Sequence, residues 1–211
     1  MADWGPMIII LFFSVVVHEY AHGLIALKCG DPTALHAGRL TLNPIPHIDM
    51  FGTILFPALL IMTGSPYLFG WAKPVPVNPF NLRHPRLDNV KVSAAGPISN
   101  LMLAGFATLA WIGVGLFVPS LYGPIVPYLN FALQINVLLA VFNLIPIPPL
   151  DGSHILEYFL PPKAQIAYDR IKQYGFILLM LFFMTPLFGI VHYARGIVVN
   201  IYKIVISFFL N

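Results

Sequence analysis

Residues 8–24 read IIILFFSVVVHEYAHGL, an apolar run suited to a transmembrane helix that nevertheless carries His18, Glu19 and His22. Ionisable side chains are costly inside a bilayer, at about 2.5–3.5 kcal/mol each near its centre, and they usually mark a functional site. Residues four apart on an α-helix share a face, so His18 and His22 can present two imidazoles to one metal ion. The spacing therefore predicts a zinc-binding helix on which Glu19 reaches the water beside the metal.

The composition of the chain indicates an integral membrane protein. Of its 211 residues, 58% are hydrophobic and 9% are charged, and the mean hydropathy is +0.83, whereas soluble domains carry about 25% charged residues. We expect a single domain over residues 1–211. The lone cysteine, Cys29, excludes an internal disulfide and a cysteine-rich metal site. The net charge of +3 is interpreted as a record of membrane topology, not of nucleic-acid binding.

Four apolar runs are long enough, or nearly so, to cross a membrane as helices. They cover residues 7–28, 93–118, 129–145 and 174–194. The tail over 196–210, which contains Lys203, could either span or re-enter. The sequence thus predicts an all-α polytopic membrane protein.

A re-entrant, β-rich insertion is expected after the first helix. The apolar run over 51–64 is short and contains Pro57, which is typical of a re-entrant or interfacial segment. The flanking connections are rich in Pro, Gly and Asn and include strand-favouring pieces such as GRLTL and KPVPV.

The distribution of Lys and Arg bears on the course of 51–64. If this run spans, seven basic residues lie inside and two outside; if it returns, all nine share the cytoplasmic face while the loop 119–128 carries none. The nine are Lys28, Arg39, Lys73, Arg83, Arg86, Lys91, Lys163, Arg170 and Lys172. Because cytoplasmic loops are enriched in Lys and Arg, the re-entrant arrangement is favoured.

A catalytic zinc usually takes three protein ligands, so a third is required besides the two histidines. Asp151 is the candidate, in the segment N143-LIPIPPL-D151-G152, whose three prolines must interrupt a helix. Non-helical backbone at membrane depth is tolerated only where protein buries it or where it lines a wet cavity. The alternative is that Asp151 merely caps the helix SHILEYFL that follows.

The depth of these residues provides a separate test of topology. His18 and His22 lie late in the first apolar segment, and Asp151 follows the apolar run over 129–145. They share a depth only if the two segments run in the same direction, which the re-entrant arrangement of 51–64 provides.

Three motifs resemble the site-2 protease family of intramembrane zinc metalloproteases, peptidase family M50. They are HEYAH in an apolar helix, A95-G96-P97-I98-S99-N100 opening the next core span, and N143-LIP-IPPL-D151-G152 in the third. The resemblance covers most of residues 10–157 and is closest to a compact prokaryotic branch without a PDZ or CBS domain.

The resemblance implies a fold and a set of roles. The core, at about residues 7–157, would be three helices with an irregular β-rich insertion after the first, followed by C-terminal membrane helices at about 174–210. His18, His22 and Asp151 map to the zinc ligands and Glu19 to the general base and acid. Asn143 maps to a polar residue near the substrate or the oxyanion.

Other polar residues are assigned lesser roles. His154 is an alternative ligand or a donor to the site, and His36 and His47 are expected at the surface. Asn100 is interpreted as an amide that packs helices together, because such amides hydrogen-bond across membrane bundles.

These interpretations imply an intramembrane zinc metalloprotease that hydrolyses peptide bonds within or near transmembrane segments of membrane-protein substrates. The expected setting is a multi-pass protein of a prokaryotic cell membrane, with the lipid bilayer around it, no nucleic acid, and the site nearer the cytoplasmic face. The alternative is a membrane zinc transporter or metal-binding channel, although the inverted repeats common in transporters are not visible.

Overall fold

The computed structural model describes residues 4–64 and 70–210 and is built from helices and connecting turns. The α-helices are α1 Trp4–Lys28, α2 Thr33–His36, α3 Phe56–Met62, α4 Pro85–Phe117, α5 Tyr122–Asn143, α6 Asp151–Phe159, α7 Pro162–Lys172, α8 Gly175–Met184 and α9 Phe188–Leu210. A π-helical segment, Met50–Leu55, leads directly into α3, and short 3₁₀ turns occupy Ile45–His47, Pro79–Asn81 and Pro119–Leu121.

Within these described ranges, four helices are long and apolar enough to cross a membrane: α1, α4, α5 and α9. Many of their large apolar side chains face outward, as lipid contact requires; Phe106, Phe117 and Phe208 are 60%, 81% and 80% exposed. The chain therefore fits an integral multi-pass membrane protein, as its composition predicts. The expected spans over 7–28, 93–118 and 129–145 correspond to α1, α4 and α5.

The expected span over 174–194 is wrong, because a break at Thr185–Leu187 divides it. Thr185 is extended, with φ −98° and ψ 155°, and Pro186 follows it. The ring of a proline disfavours helical geometry in the preceding residue, so α8 ends at Met184 after 10 residues. The uncertain tail over 196–210 is instead the larger part of α9, which continues through Lys203.

The order of contacts along the helices fixes their relative directions. His18 of α1 meets Asn100 of α4, and His22, four residues further along α1, meets Val92, eight residues earlier in α4. The two helices are therefore antiparallel. Asn136 of α5 contacts both Asn100 and Ser14, and the short connection after α4 turns the chain back. Helix α5 thus runs in the same direction as α1, which is the arrangement that the depth of Asp151 requires.

Helix α9 packs on α4 and α5 and completes the bundle. The buried apolar cluster between the three helices consists of Ala104, Ala107, Ile112, Leu133, Val137, Val199 and Ile206. The Tyr202 hydroxyl donates to Leu101 O at 2.9 Å, and Leu210 lies against Gly115 further along α4. Helix α9 therefore runs in the same direction as α4.

The β-rich insertion expected between α1 and α4 is not confirmed, since none of its described residues forms a strand. Extended chain over 71–78 is held by single hydrogen bonds. Trp71 N donates to Gly52 O, Lys73 N donates to His47 O, and Arg39 Nη2 donates to Lys73 O. The expectation of a re-entrant course for 51–64 stays a prediction.

His47 is fully buried, so its expected surface position is wrong. Its Nε2 lies 3.0 Å from Thr41 O, and its carbonyl accepts the N–H of Lys73 at 2.9 Å. His47 therefore ties the first half of the insertion to the extended segment that follows.

Asp31 joins the start of the insertion to its end. Its buried carboxylate accepts hydrogen bonds from the side chains of Thr33 and Asn81 and from the backbone N–H groups of Asn78 and Thr33. Burial by itself raises the pKa of this carboxyl, but these hydrogen bonds outweigh it and leave the pKa below its usual value. Nearby, Arg83 N donates to Cys29 O at 3.0 Å. The insertion thus begins and ends at the same end of the bundle.

Cysteine labelling can test this shared end. Leu35 and Leu87 are 48% and 44% exposed in the described structure, and Leu121, at the opposite end, is 44% exposed. In a Cys29→Ser background, we expect Leu35→Cys and Leu87→Cys to react with an impermeant maleimide from one side of the membrane, and Leu121→Cys from the other. Reaction of Leu35→Cys from the same side as Leu121→Cys would show that 51–64 crosses the membrane.

Candidate metal centre

His18, His22 and Asp151 converge on one point between α1 and the start of α6. Their donor atoms lie within 4.8 Å of one another. His18 Nε2 is 3.0 Å from His22 Nε2 and 3.2 Å from Asp151 Oδ2, and His22 Nε2 is 3.4 Å from Asp151 Oδ1. Ligand atoms of a tetrahedral zinc, at metal distances of about 2.0–2.1 Å, are about 3.3 Å apart. The spacing of the three groups therefore fits a tetrahedral zinc ion.

The hydrogen bonds made by Nδ1 of His18 and of His22 explain why the Nε2 atoms of the two rings suit a cation. His18 Nδ1 donates to Asn100 Oδ1 at 2.6 Å, and His22 Nδ1 donates to Val92 O at 2.7 Å. A neutral imidazole with its proton on Nδ1 presents a lone pair at Nε2. Two lone pairs and a carboxylate then face one another in a buried place, and Asp151 Oδ2 has no hydrogen-bond donor among the described residues. These groups repel one another, and a metal ion between them would offset that repulsion, so the donor set fits zinc.

The proline-rich segment after α5 delivers Asp151 to the histidines. Helix α5 ends at Asn143, and residues 144–150 fold into tight turns before α6 begins at Asp151. A Cβ atom at Gly152 would overlap the backbone of Leu144 and Ile145, so glycine permits this close return. The N-cap residue of α6 is Leu150, whose apolar side chain makes no cap hydrogen bond. Asp151 is therefore the first residue of α6 and does not occupy its N-cap position.

Gly96 sets the distance between α1 and α4 at the site. A Cβ atom at this position would overlap the imidazole rings of both His18 and His22. Val92, Gly96 and Asn100 are spaced by four and form one face of α4. This face lies against the corresponding face of α1, which carries Ser14, His18 and His22.

Glu19 lies beside the histidines and faces the insertion. Its Oε2 accepts the backbone N–H of Val75 at 2.7 Å. Val75 stands between Pro74 and Pro76, which have no N–H, so this stretch of three residues offers one backbone donor. The side chain of Val75 is 8% exposed and lies near Gly23 of α1. The extended segment thus holds the Glu19 carboxylate next to the cluster.

Two residues considered from the sequence are not brought into the cluster by any described contact. The Asn143 amide donates to Leu139 O of its own helix at 3.0 Å. His154 Nδ1 lies 3.7 Å from Glu157 Oε2, on a shallow pocket shared with Arg86 and Gln165. The role of Asn143 near the substrate stays a prediction.

Sequence reasoning undervalued Asn100 and missed Asn136 and Val75. The Asn100 amide bonds across helices as expected, but it also accepts the proton of His18 Nδ1. An available signal was that Ser14, Asn100 and Asn136 are isolated polar residues within apolar spans, where polar groups need partners. The contact of Val75 with Glu19 joins residues 56 positions apart and leaves no local pattern.

A bundle of apolar helices with an HExxH motif and an aspartate at one buried cluster defines a class, the membrane-embedded metalloproteases. Comparison with known proteins agrees. The model of peptidase family M50 matches residues 108–186. The chain is 43% identical to "Putative zinc metalloprotease YwhC" of Bacillus subtilis (strain 168), over 86% of this chain and 81% of that protein. The chain belongs to peptidase family M50, the site-2 protease family, whose members use zinc, and it is a metalloprotease.

More distant relatives carry similar names. "Putative zinc metalloprotease Rip2" of Mycolicibacterium smegmatis is 32% identical over 82% of this chain and 64% of its own length. "Zinc metalloprotease MJ0392" of Methanocaldococcus jannaschii is 26% identical over 76% of this chain and 36% of its own length. No solved structure matches the chain.

The contact at Gly96 yields a test with a matched control. We expect Gly96→Ala to lower zinc affinity by at least about 10-fold, because the added methyl group displaces both imidazoles. Alanine is the better helix former by about 1 kcal/mol, so α4 itself should form. Gly113→Ala in the same helix meets nothing within 4 Å and should bind zinc as wild type does. The measurement is the zinc dissociation constant of the purified proteins, by competition with a chelator, and equal constants in both variants would contradict the expectation.

Proposed function

We propose that this metalloprotease cleaves peptide bonds within or near transmembrane segments of membrane-protein substrates, with zinc held by His18, His22 and Asp151. The observation that carries the proposal is the burial of the acceptor cluster on a helix suited to span a membrane. His18 and His22 are 7% and 9% exposed and lie within α1. A site at this depth favours substrates that reach it through the bilayer.

The residues of the cluster divide the chemistry between them. Zinc, when bound, supplies the Lewis acidity that allows water to attack an amide at neutral pH. Glu19 accepts a proton from the attacking water while the oxygen of that water bonds to the scissile carbonyl carbon. The same carboxyl then donates that proton to the amide nitrogen as the C–N bond breaks. The Asn143 amide is the proposed donor to the substrate oxyanion, after it leaves Leu139 O.

A transmembrane helix must unwind before hydrolysis, because its amides are hydrogen-bonded internally and covered by side chains. The insertion is the proposed guide for the unwound segment, since its extended residues 71–78 already pass beside Glu19. The bilayer and a substrate with a transmembrane segment are therefore the proposed partners.

The proposed location is a prokaryotic cell membrane, with the insertion on the cytoplasmic side. His22 is six residues from the end of α1 at Lys28, or about 9 Å along the helix. Arg83 N donates to Cys29 O, next to Lys28, and Arg39 Nη2 donates to Lys73 O, so these basic residues lie together where the insertion begins and ends. Such clustering of positive charge is typical of cytoplasmic loops. The site would then lie nearer the cytoplasmic face.

Replacement of Glu19 separates metal binding from proteolysis. We expect Glu19→Gln to keep zinc, because the side chain is not a ligand, and to lower proteolysis by about 10²- to 10⁴-fold, because a neutral amide cannot take the proton. The amide oxygen can still accept the N–H of Val75, so the insertion should stay in place. Cleavage of a model transmembrane substrate in detergent is the assay, and a rate near that of wild type would refute the mechanism.

Replacement of Asp151 tests the third ligand. Asp151→Asn exchanges an anionic oxygen for a neutral amide that zinc seldom binds, so zinc content should fall. Proteolysis should fall with it by at least about 100-fold, since the Lewis acid contributes several kcal/mol. His154→Asn is the matched control and should retain both. Full zinc and full activity in Asp151→Asn would refute Asp151 as the third ligand and move the search to His154.

A further inference from the structure

Three polar side chains are buried between α1, α4 and α5 without entering the reaction proposed above. Ser14 is 1% exposed, Asn100 0% and Asn136 2%. Buried amides and hydroxyls are costly unless each is hydrogen-bonded. The hydrogen-bond partners of these three side chains therefore indicate which neighbouring side chain they orient.

Asn100 lies at the centre of this group, and both the oxygen and the nitrogen of its side-chain amide are hydrogen-bonded. Its Oδ1 accepts the proton of His18 Nδ1 at 2.6 Å. Its Nδ2 donates to Ser14 O at 3.2 Å and to Asn136 Oδ1 at 2.9 Å. Ser14 O is also the helical acceptor for the backbone N–H of His18, four residues on. Asn100 therefore contacts both the ring of His18 and the helical turn that supports it.

Asn136 connects this amide to backbone carbonyls. Its Nδ2 donates to Ala132 O and to Ser14 Oγ, both at 2.9 Å. The Ser14 hydroxyl in turn donates to Ile10 O at 2.8 Å. The chain of donors that starts at His18 thus ends on three carbonyl oxygens of the helices, those of Ser14, Ala132 and Ile10.

These terminal carbonyls decide the direction of every hydrogen bond in the chain, because a carbonyl oxygen can only accept. The NH₂ group of Asn136 must face Ala132 O, so its oxygen faces Asn100. The NH₂ group of Asn100 must then face Asn136, and its oxygen faces His18. His18 therefore carries its proton on Nδ1, which leaves the Nε2 lone pair toward Asp151.

We propose that Asn100 and Asn136 are positioning residues that hold His18 in the tautomer and orientation required for zinc binding, with Asn136 acting through Asn100. The inference rests on the proposed role of His18 as a ligand. Helix α5 then has a second role at the site besides leading to Asp151. Its Asn136 side chain, which contacts no zinc ligand, orients His18 of α1 through Asn100. Partners that orient ligating histidines commonly govern metal affinity in this way.

The experiment measures the zinc dissociation constant in detergent, by competition with a chelator, and the visible spectrum of Co²⁺-substituted protein. We expect Asn100→Leu to weaken zinc binding by about 10- to 100-fold, and Asn136→Leu to weaken it in the same direction. Both should alter the Co²⁺ bands, which report ligand geometry. The control is Thr108→Val, which removes a buried hydroxyl of α4 that donates to Ala104 O, and it should match wild type.

The double variant distinguishes positioning from general packing. If Asn136 acts through Asn100, Asn100→Leu/Asn136→Leu should bind zinc no more weakly than Asn100→Leu alone, whereas independent effects would multiply. Multiplying effects, or Asn136→Leu with wild-type affinity and spectrum, would overturn the inference. Asn136→Leu leaves the contact of Asn100 with His18 possible, so it decides the matter even if Asn100→Leu does not fold.

The outcomes also separate this inference from the proposed function. If wild type binds zinc, Asp151→Asn loses it, and both asparagine variants behave as Thr108→Val does, the inference alone is overturned. A wild-type protein that binds no zinc would overturn both.

Discussion

The close contact between α1 and α4 at Gly96 is the constraint on which the rest of the site depends. Ser14, His18 and His22 form one face of α1, and Asn100, Gly96 and Val92 form the opposing face of α4. Both sets are spaced by four residues, so the antiparallel helices meet over about two turns. Gly96 leaves room for two imidazoles where any Cβ atom would exclude them. Asn100 and Val92, one turn to either side of Gly96 on α4, accept the Nδ1 protons of His18 and His22. Packing and ligand orientation are therefore a single arrangement.

Much of this could be predicted from the sequence because the signals are local. The apolar runs specify α1, α4 and α5, since a bilayer demands helices with internally satisfied backbones. The spacing of His18 and His22 specifies a shared face, and the prolines after Asn143 specify a break before Asp151. These features depend on neighbours within a turn or two, where spacing and proline geometry dominate.

Other features could not be predicted because they depend on contacts between distant segments. The extended segment at residues 71–78 resembles a strand in its composition, yet its hydrogen bonds go singly to Gly52, His47 and Glu19. His47 lies in a Pro-rich connection that suggests exposure, and only the returning chain buries it. The division of 174–194 is a different case, because Pro186 is visible in the sequence and disfavours helix at Thr185. The high hydropathy of the segment nevertheless suggested one continuous span.

The break before Pro186 also decides which helix returns the chain to the end of the bundle where α1 begins. Helix α8 has 10 residues and is about 15 Å long, roughly half the hydrocarbon thickness of a bilayer. It is therefore too short to cross, whereas α9, which runs beside α4, is long and apolar enough to do so. Because α9 runs in the same direction as α4, and therefore opposite to α1, Trp4 and Leu210 lie at the same end of the bundle.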